Sequence, residues 1–279
     1  GNGFPQPQDD DERKCGVCGF SAMVLAREHR GLTSPRAFVL TACCFTAVIM
    51  GYNMYSGPNS VGDEIDTSGV FVILEKAHLK YAKVGRRLTL LNAQDHADYL
   101  MRNKEDPALY RPDIVHQALM SVLDSPLNKA GKIRGVYIHT TDKHVIFVDP
   151  HARIPRMFRR FCGLIVEVLQ RMSVRSSHGG KKLLKLVRSP VSSHFPIGCR
   201  RIAFSHSAGN ATDFHDYAQQ IDPSEPLVLI VGAMAHGNVL DLIGGDVLCS
   251  SLSISKYPLS AACAISRILG SLERRLGVL

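Results

Sequence analysis

Four groups of residues in this 279-residue chain have types and spacings that could do chemistry. The first is Arg153, Arg156 and Arg160, at intervals of three and four. On a helix that spacing puts three guanidinium forks on one stripe, opposite Phe158 and Phe161, and the fork matches phosphate oxygens. Arg159, Arg171, Arg175, Lys181, Lys182 and Lys185 widen the positive field. From 151 to 201 the chain holds nine Arg and three Lys against one acid, Glu167, a charge of +11. The whole chain carries +8, so the remainder is near −3. A merely solvated surface would mix both signs, and a paired helix face would offer Glu at i±4, which is absent before Glu167. The block therefore reads as a polyanion footprint. With no duplex-DNA motif in view, structured or looped RNA is the expected partner.

The second group is Arg111-Pro112-Asp113 together with Asp124. The acids are eleven residues apart, about three helical turns, so they project from similar sides at opposite ends of one helix. A carboxylate beside an arginine could orient or deprotonate a nucleobase nitrogen. Spacing alone equally allows Asp113 to complement a helix start and Asp124 to cap a turn.

The third and fourth groups follow apolar runs. Val231-Gly232-Ala233-Met234-Ala235-His236-Gly237 comes after LVLIV, and small residues at a strand's C-terminal end let backbone amides approach a ligand. Ile254-Ser255-Lys256-Tyr257-Pro258-Leu259 passes into a helix for which Ser260 is a natural N-cap. No dinucleotide fingerprint, P-loop or H-E-x-x-H is present. His236 reads as a polar loop residue.

The elements that must position these groups alternate. Val70–Leu74 is expected as a buried strand, and Pro112–Asp124 as a helix with Val115, Ala118, Leu119 and Val122 on its apolar face. A hairpin is expected around Thr140–Lys143, then a long amphipathic helix over Pro155–Met172. Strands at 183–187, 201–204, 227–231 and 247–254 precede a closing helix over Leu259–Arg275. The class is α/β, and the wholly apolar 227–231 run suits a parallel sheet covered on both faces.

The rest of the chain excludes several classes. Eight cysteines over this length are not a disulfide scaffold, and Cys162 and Cys263 within apolar patterns read as buried thiols. Cys15-x-x-Cys18 with adjacent Cys43 and Cys44 lacks ligand spacing in its second pair, against a zinc site. The apolar run Ala37–Met50 is shorter than the roughly 20 residues of a membrane span. Residues 1–65 are expected to be a poorly ordered extension with that one apolar segment, and 66–279 the working domain.

Several long segments, in order, carry a resemblance. They are LLNAQDH (Leu90–His96), RPDIVHQALMSVLDSPLNKAG (Arg111–Gly131), RIPRMFRRFCGL (Arg153–Leu164), HFPIGCR (His194–Arg200), VGAMAHG (Val231–Gly237) and SISKYPLSA (Ser253–Ala261). From about Ser68 to Leu279 the chain resembles the Nep/Emg-type ribosomal RNA pseudouridine N1-methyltransferases of the SPOUT superfamily. The resemblance implies a mostly parallel sheet with helices on both faces and a C-terminal trefoil knot, an exception to the rule against threaded chains. It implies a nucleolar homodimer acting on small-subunit rRNA in the pre-ribosomal particle, with no membrane and no metal. S-adenosyl-L-methionine would be held by Phe204, Gly232, Gly237, Ile254, Ser255, Lys256, Tyr257, Pro258 and Leu259. Arg111, Arg153, Arg156 and Arg160 would contact RNA, and Asp124, Asp113 and Arg111 would serve catalysis. The expected chemistry is a flipped-out pseudouridine whose N1–H is lost with help from Asp124 or the Arg111–Asp113 arrangement. The run Ser205–Asn210 and the link at His178-Gly179-Gly180 depart from the family pattern. A non-catalytic RNA-binding assembly factor is the alternative, and an RNA-binding module with a zinc-bound N-terminus a more distant one.

Overall fold

The computed structural model describes residues 1, 69–176, 180–209, 211–222, 224–243 and 249–278. The chain divides into two units, Gly1–Ser60 and Val61–Leu279, and the sheet and its helices belong to the second. The Cys15, Cys18, Cys43 and Cys44 group, the apolar run Ala37–Met50 and the expected extension lie outside the described residues, as do His178 and Gly179.

An eight-stranded sheet organises the domain, in the order β10-β8-β9-β1-β4-β5-β7-β6. Five of its strands are β1 (Val70–Ala77), β4 (Ile133–Thr140), β8 (Arg200–Phe204), β9 (Leu227–Gly232) and, at one edge, β10 (Cys249–Leu252). These pair in parallel from β10 to β4. Strands β5 (Val145–Val148), β7 (Lys182–Val187) and β6 (Ser173–Arg175) continue the sheet in antiparallel fashion. A parallel strand flanked on both sides and covered on both faces has no polar side, which is why residues 70–74 of β1 and 227–231 of β9 read as apolar runs. The expected hairpin is β4–β5; β10 is shorter than expected, with 247 and 248 outside the described residues.

Helices cover the two faces unequally. Helices α2 (Pro112–Leu123), α4 (Phe158–Arg171), α5 (Phe214–Gln219) and α7 (Ala261–Arg275) share the main core with one face. The other face meets Phe195, Val191 and Leu240, the last from the single-turn helix α6 (Leu240–Ile243). A turn of helix, α3 (Pro126–Lys129), is capped by Ser125, whose Oγ accepts from the Asn128 amide at 3.1 Å. Strands β2 (Tyr81–Val84) and β3 (Arg87–Leu90) with helix α1 (Ala93–Arg102) were not expected from periodicity; they bury a small cluster of Leu91, Leu100 and Tyr110. Gly85 in a left-handed turn (φ +63°) and Asn92 capping α1 were their only strong local signals. Cys263 is exposed rather than buried, since the α7 apolar stripe through Ile265, Ile268 and Leu272 leaves it on the outer side.

The crossover from β1 through α2 to parallel β4 makes α2 run against the strands. Its start lies at the strands' C-terminal ends and its end at their N-terminal ends. There the Val70 amide donates to the Lys132 carbonyl at 3.0 Å, and the Leu127 amide to buried Glu273 Oε1 of α7 at 3.2 Å. Phe161 of α4 is fully buried and stacks on His116 of α2, with centroids 4.6 Å apart. Phe161→Ala is expected to cost about 3–5 kcal/mol, read as a lowered urea midpoint with an unchanged slope.

Candidate functional site

Because β8 and β9 end level with one another and β10 lies beside β8, their exits converge. They enclose a cavity of about 400 Å³ between Phe204, Gly232, Gly237, Ile254 and Leu259. Ser255, Tyr257 and Pro258 also line it, so eight of the nine expected cofactor residues meet there. Lys256 does not; it lines a neighbouring cavity of about 630 Å³ with Asp213, Arg267 and Arg274. Ser205, His206 and Ser207, in the run that departs from the family pattern, line the first cavity and were missed as site residues.

The loops are held by their own polar groups. Ser205 Oγ donates to Asn238 Oδ1 at 2.7 Å, and the same oxygen accepts from the Leu240 amide at 3.1 Å. Ser253 Oγ donates to the Ser255 carbonyl at 3.1 Å, and Ser260 caps α7 by accepting from the Cys263 amide. A Cβ on Gly232 would lie 2.7 Å from Val239 Cγ2, so any other residue there would have to displace that side chain. Gly237 sits at φ +112°, closed to L side chains without strain. Behind the loop, the Glu75 carbonyl accepts from the Ala233 amide at 2.8 Å. The Glu75 carboxylate holds His139 Nδ1 at 2.5 Å and raises the imidazole's proton affinity. The result is a mixed polar and apolar slot with exposed backbone at its glycines, suited to a ligand of the same mixed character. Among the described residues no group of three or more His, Cys, Asp or Glu could hold a metal ion.

The basic segment differs from its expected form. Helix α4 starts at Phe158, so Arg153 and Arg156 precede it and Arg160 alone of that expected stripe lies on it, with Arg159 beside it. The cause is local. Ala152 and Ile154 insert into the core, proline disfavours helical geometry at Ile154, and His116 Nε2 donates to the Pro155 carbonyl at 2.8 Å. The chain stays extended to Met157, and its arginines point outward between buried anchors. Nor are these arginines without acids. Arg156 pairs with Asp124 at 3.0 Å, and Arg171 with Glu167 at 2.8 Å. Lys181 pairs with Asp149 at 3.1 Å.

The two candidate acids part company. Arg111 grips Asp113 through Nε and Nη2, at 2.9 and 2.7 Å. That hydrogen bond, opposed by partial burial, holds the Asp113 carboxyl below its ordinary range and makes it a weak base. Asp124 ends α2 and faces Arg156 and, at 3.8 Å, Lys129. Helix α2 is 12 residues long, about 18 Å, and its end lies at the strands' N-terminal side. The loop cavity lies at their C-terminal side. Within one chain, therefore, Asp124 and the cavity are at opposite ends of the sheet, and neither Arg111, Asp113 nor the arginines of 153–160 line it.

A model of the EMG1/NEP1 methyltransferase family matches residues 72–273. The chain is 44% identical over 210 residues to the Ribosomal RNA small subunit methyltransferase NEP1 of Mus musculus, over 75% of this chain and 83% of that protein. It is 43% identical over 218 residues to the protein of the same name from Homo sapiens, over 78% and 86%. Among solved structures it is similar to Archaeoglobus fulgidus Nep1 bound to S-adenosylhomocysteine. The TM-score is 0.55 at 22% identity, over 75% of this chain and 99% of that one, a likeness of fold.

The Arg111–Asp113 grip gives a titration with a definite sign. A depressed folded-state pKa contributes stability above the unfolded carboxyl value, and this is lost as pH falls through the folded one. Arg111→Ala is expected to move the Asp113 carboxyl midpoint upward in an NMR titration and to flatten the acid limb of stability. An unmoved midpoint would show that the guanidinium does not set it.

Proposed function

The chain belongs to the EMG1/NEP1 methyltransferase family, and from that premise we propose that it methylates N1 of a pseudouridine in small-subunit ribosomal RNA, using S-adenosylmethionine. The observation that carries this reading is the meeting of three sequence-distant loops, at Phe204, Gly232–Gly237 and Ile254–Leu259, around one cavity. The cofactor fits what is there: a slot of mixed polarity with a glycine cradle that a Cβ at Gly232 would fill. Gly232, Gly237, Ser255 and Leu259 would hold it, and when bound it supplies an electrophilic methyl group.

The chain's own residues do the rest. The exposed arginines bind the RNA backbone, and an unpaired loop lets the target base leave its stack. Asp124 accepts the proton from pseudouridine N1, and exclusion of water from the slot sharpens alignment. Since Asp124 and the cavity of one chain lie at opposite ends of the sheet, the base would act at the cavity of a second copy, which argues for a homodimer. The Arg111–Asp113 pair, charged and weakly basic, suits anchoring RNA better than taking a proton. The place of β10 on the outer side of β8, although β9 lies between them in the sequence, supports a trefoil knot. An rRNA substrate within a pre-ribosomal particle implies a nucleolar setting. In this reading residues 1–65 remain an extension to the working domain.

Calorimetry with S-adenosylhomocysteine is expected to give one site per chain, lost in Gly232→Val; no binding by the native protein would favour a non-catalytic assembly factor. Asp124→Ala is expected to slow methylation of a pseudouridine-containing RNA hairpin by roughly 100-fold or more. Full-rate methylation would remove Asp124 as the base. Arg156→Gln should weaken binding of all RNAs alike and reduce the slope of log affinity against log salt by about 1.

A further inference from the structure

The motif Leu90–His96 has no part in the proposed methyl transfer, yet it forms one wall of a separate cavity of about 380 Å³. The opposite wall is the outer side of α4. Leu88, Phe158, Cys162 and Val166 make the slot apolar, while Asp95 and Arg159 stand among its polar residues. Most of the motif's polar atoms bond to one another. Asn92 Oδ1 accepts from the Asp95 amide at 2.6 Å, His96 Nδ1 accepts from the Asn92 amide, and His96 Nε2 meets Thr89 Oγ1 at 3.2 Å. The wall is thus rigid without a ligand. Asn92 Nδ2 donates to one Asp95 oxygen at 3.0 Å, and the other carries no hydrogen bond among the described residues.

Three observations ask for an occupant. Leu88, at the cavity, is 47% exposed on a hairpin beside a basic helix. Burial pushes the Cys162 thiol up to about 11, so it stays uncharged and adds to the apolar surface between Phe158 and Val166. Gly163 lies on the slot in the middle of α4, where glycine destabilises a helix relative to alanine. Packing does not require it, for a Cβ there would meet nothing within 4 Å. What the missing side chain leaves is room.

We propose that this slot captures the unstacked base of an RNA nucleotide other than the one methylated, with Arg159 on its phosphate. A flat apolar slot rimmed by a guanidinium is how single-stranded RNA is held, each base giving its face to apolar or aromatic groups. The free Asp95 oxygen is an acceptor, so a base with an exocyclic amine (cytosine, adenine or guanine) fits better than uracil. The proposal rests on the RNA-methylating function and adds a sequence-selecting subsite to it.

The test uses the full chain and an RNA hairpin whose loop nucleotides are made abasic one at a time, read by fluorescence anisotropy at fixed salt. One position besides the target should cost the native protein roughly tenfold in affinity. Replacing that base by uracil should cost part of this. Gly163→Leu, which fills the slot, should lower affinity for the intact hairpin roughly tenfold and be indifferent to the same abasic site. Its melting temperature should be unchanged or raised. Leu88→Ala, on an exposed hairpin, should lose affinity with the same abasic indifference, should the larger substitution disturb folding. Native-like binding by both variants, or an abasic penalty undiminished in them, overturns the subsite while leaving the RNA reading intact. No RNA binding by the native protein, with S-adenosylhomocysteine still bound, would overturn the RNA reading itself.

Discussion

Parallel strands share a direction, so their exits open on the same side of a sheet, and here β8, β9 and β10 bring three loops to one space. An antiparallel arrangement would send alternate loops to opposite edges. The glycines make sense only within this constraint. Gly232 is the residue at which β9 leaves the sheet with Val239 and Met234 packed against it, and Gly237 turns the chain through a conformation other residues avoid. The Ser205–Asn238 hydrogen bond joins residues 33 apart and forms at little entropic cost, because the strands have already delivered the loops to one another, while Ser253 and Ser255 fix their own loop locally.

The same parallel geometry sets the ends of the helices. A crossover helix between two parallel strands must run against them, so α2 carries Arg111 and Asp113 at one end of the sheet and Asp124 at the other. Two acids that look equivalent in the sequence acquire different surroundings. Asp113 is held by a bidentate guanidinium, whereas Asp124 meets Arg156 through a single hydrogen bond in a more exposed pair that solvent screens. An exposed pair is weakly held, so Arg156 can exchange a carboxylate for a phosphate at small cost. The basic segment is therefore anchored by apolar residues and by His116 rather than by its charges.

Charge and shape meet on the other side of α4. Arg159 and Arg160 belong to the polyanion footprint, while Phe158, Cys162 and Gly163 shape a slot against the β3 and α1 wall. An RNA-binding surface needs both kinds of group, since cations give affinity without sequence and flat apolar slots engage bases.

Much of this was legible in the sequence. Core strands that are apolar throughout, as in 70–74 and 227–231, announce a sheet buried on both faces, and the 3.6-residue period of 112–123 announces its helix, because both patterns are consequences of burial. The +11 block announces a polyanion, since charge needs no fold to be counted. The family was legible too, and the match over 72–273 agrees with it. What periodicity could not supply was the start of α4: Arg153 and Arg156 keep a helical spacing, but His116, nearly forty residues earlier, holds the Pro155 carbonyl and keeps the chain extended. The β2–β3 hairpin and α1 were hidden for a similar reason, being short elements stabilised by a small cluster of their own. Lys256 sits within a loop motif, and only the packing of α5 against α7 decides which cavity it lines. Residue types and local periods are set by the chain alone. Which end of the sheet each group reaches is set by strand direction and long-range contacts, and these exist only once the chain has folded.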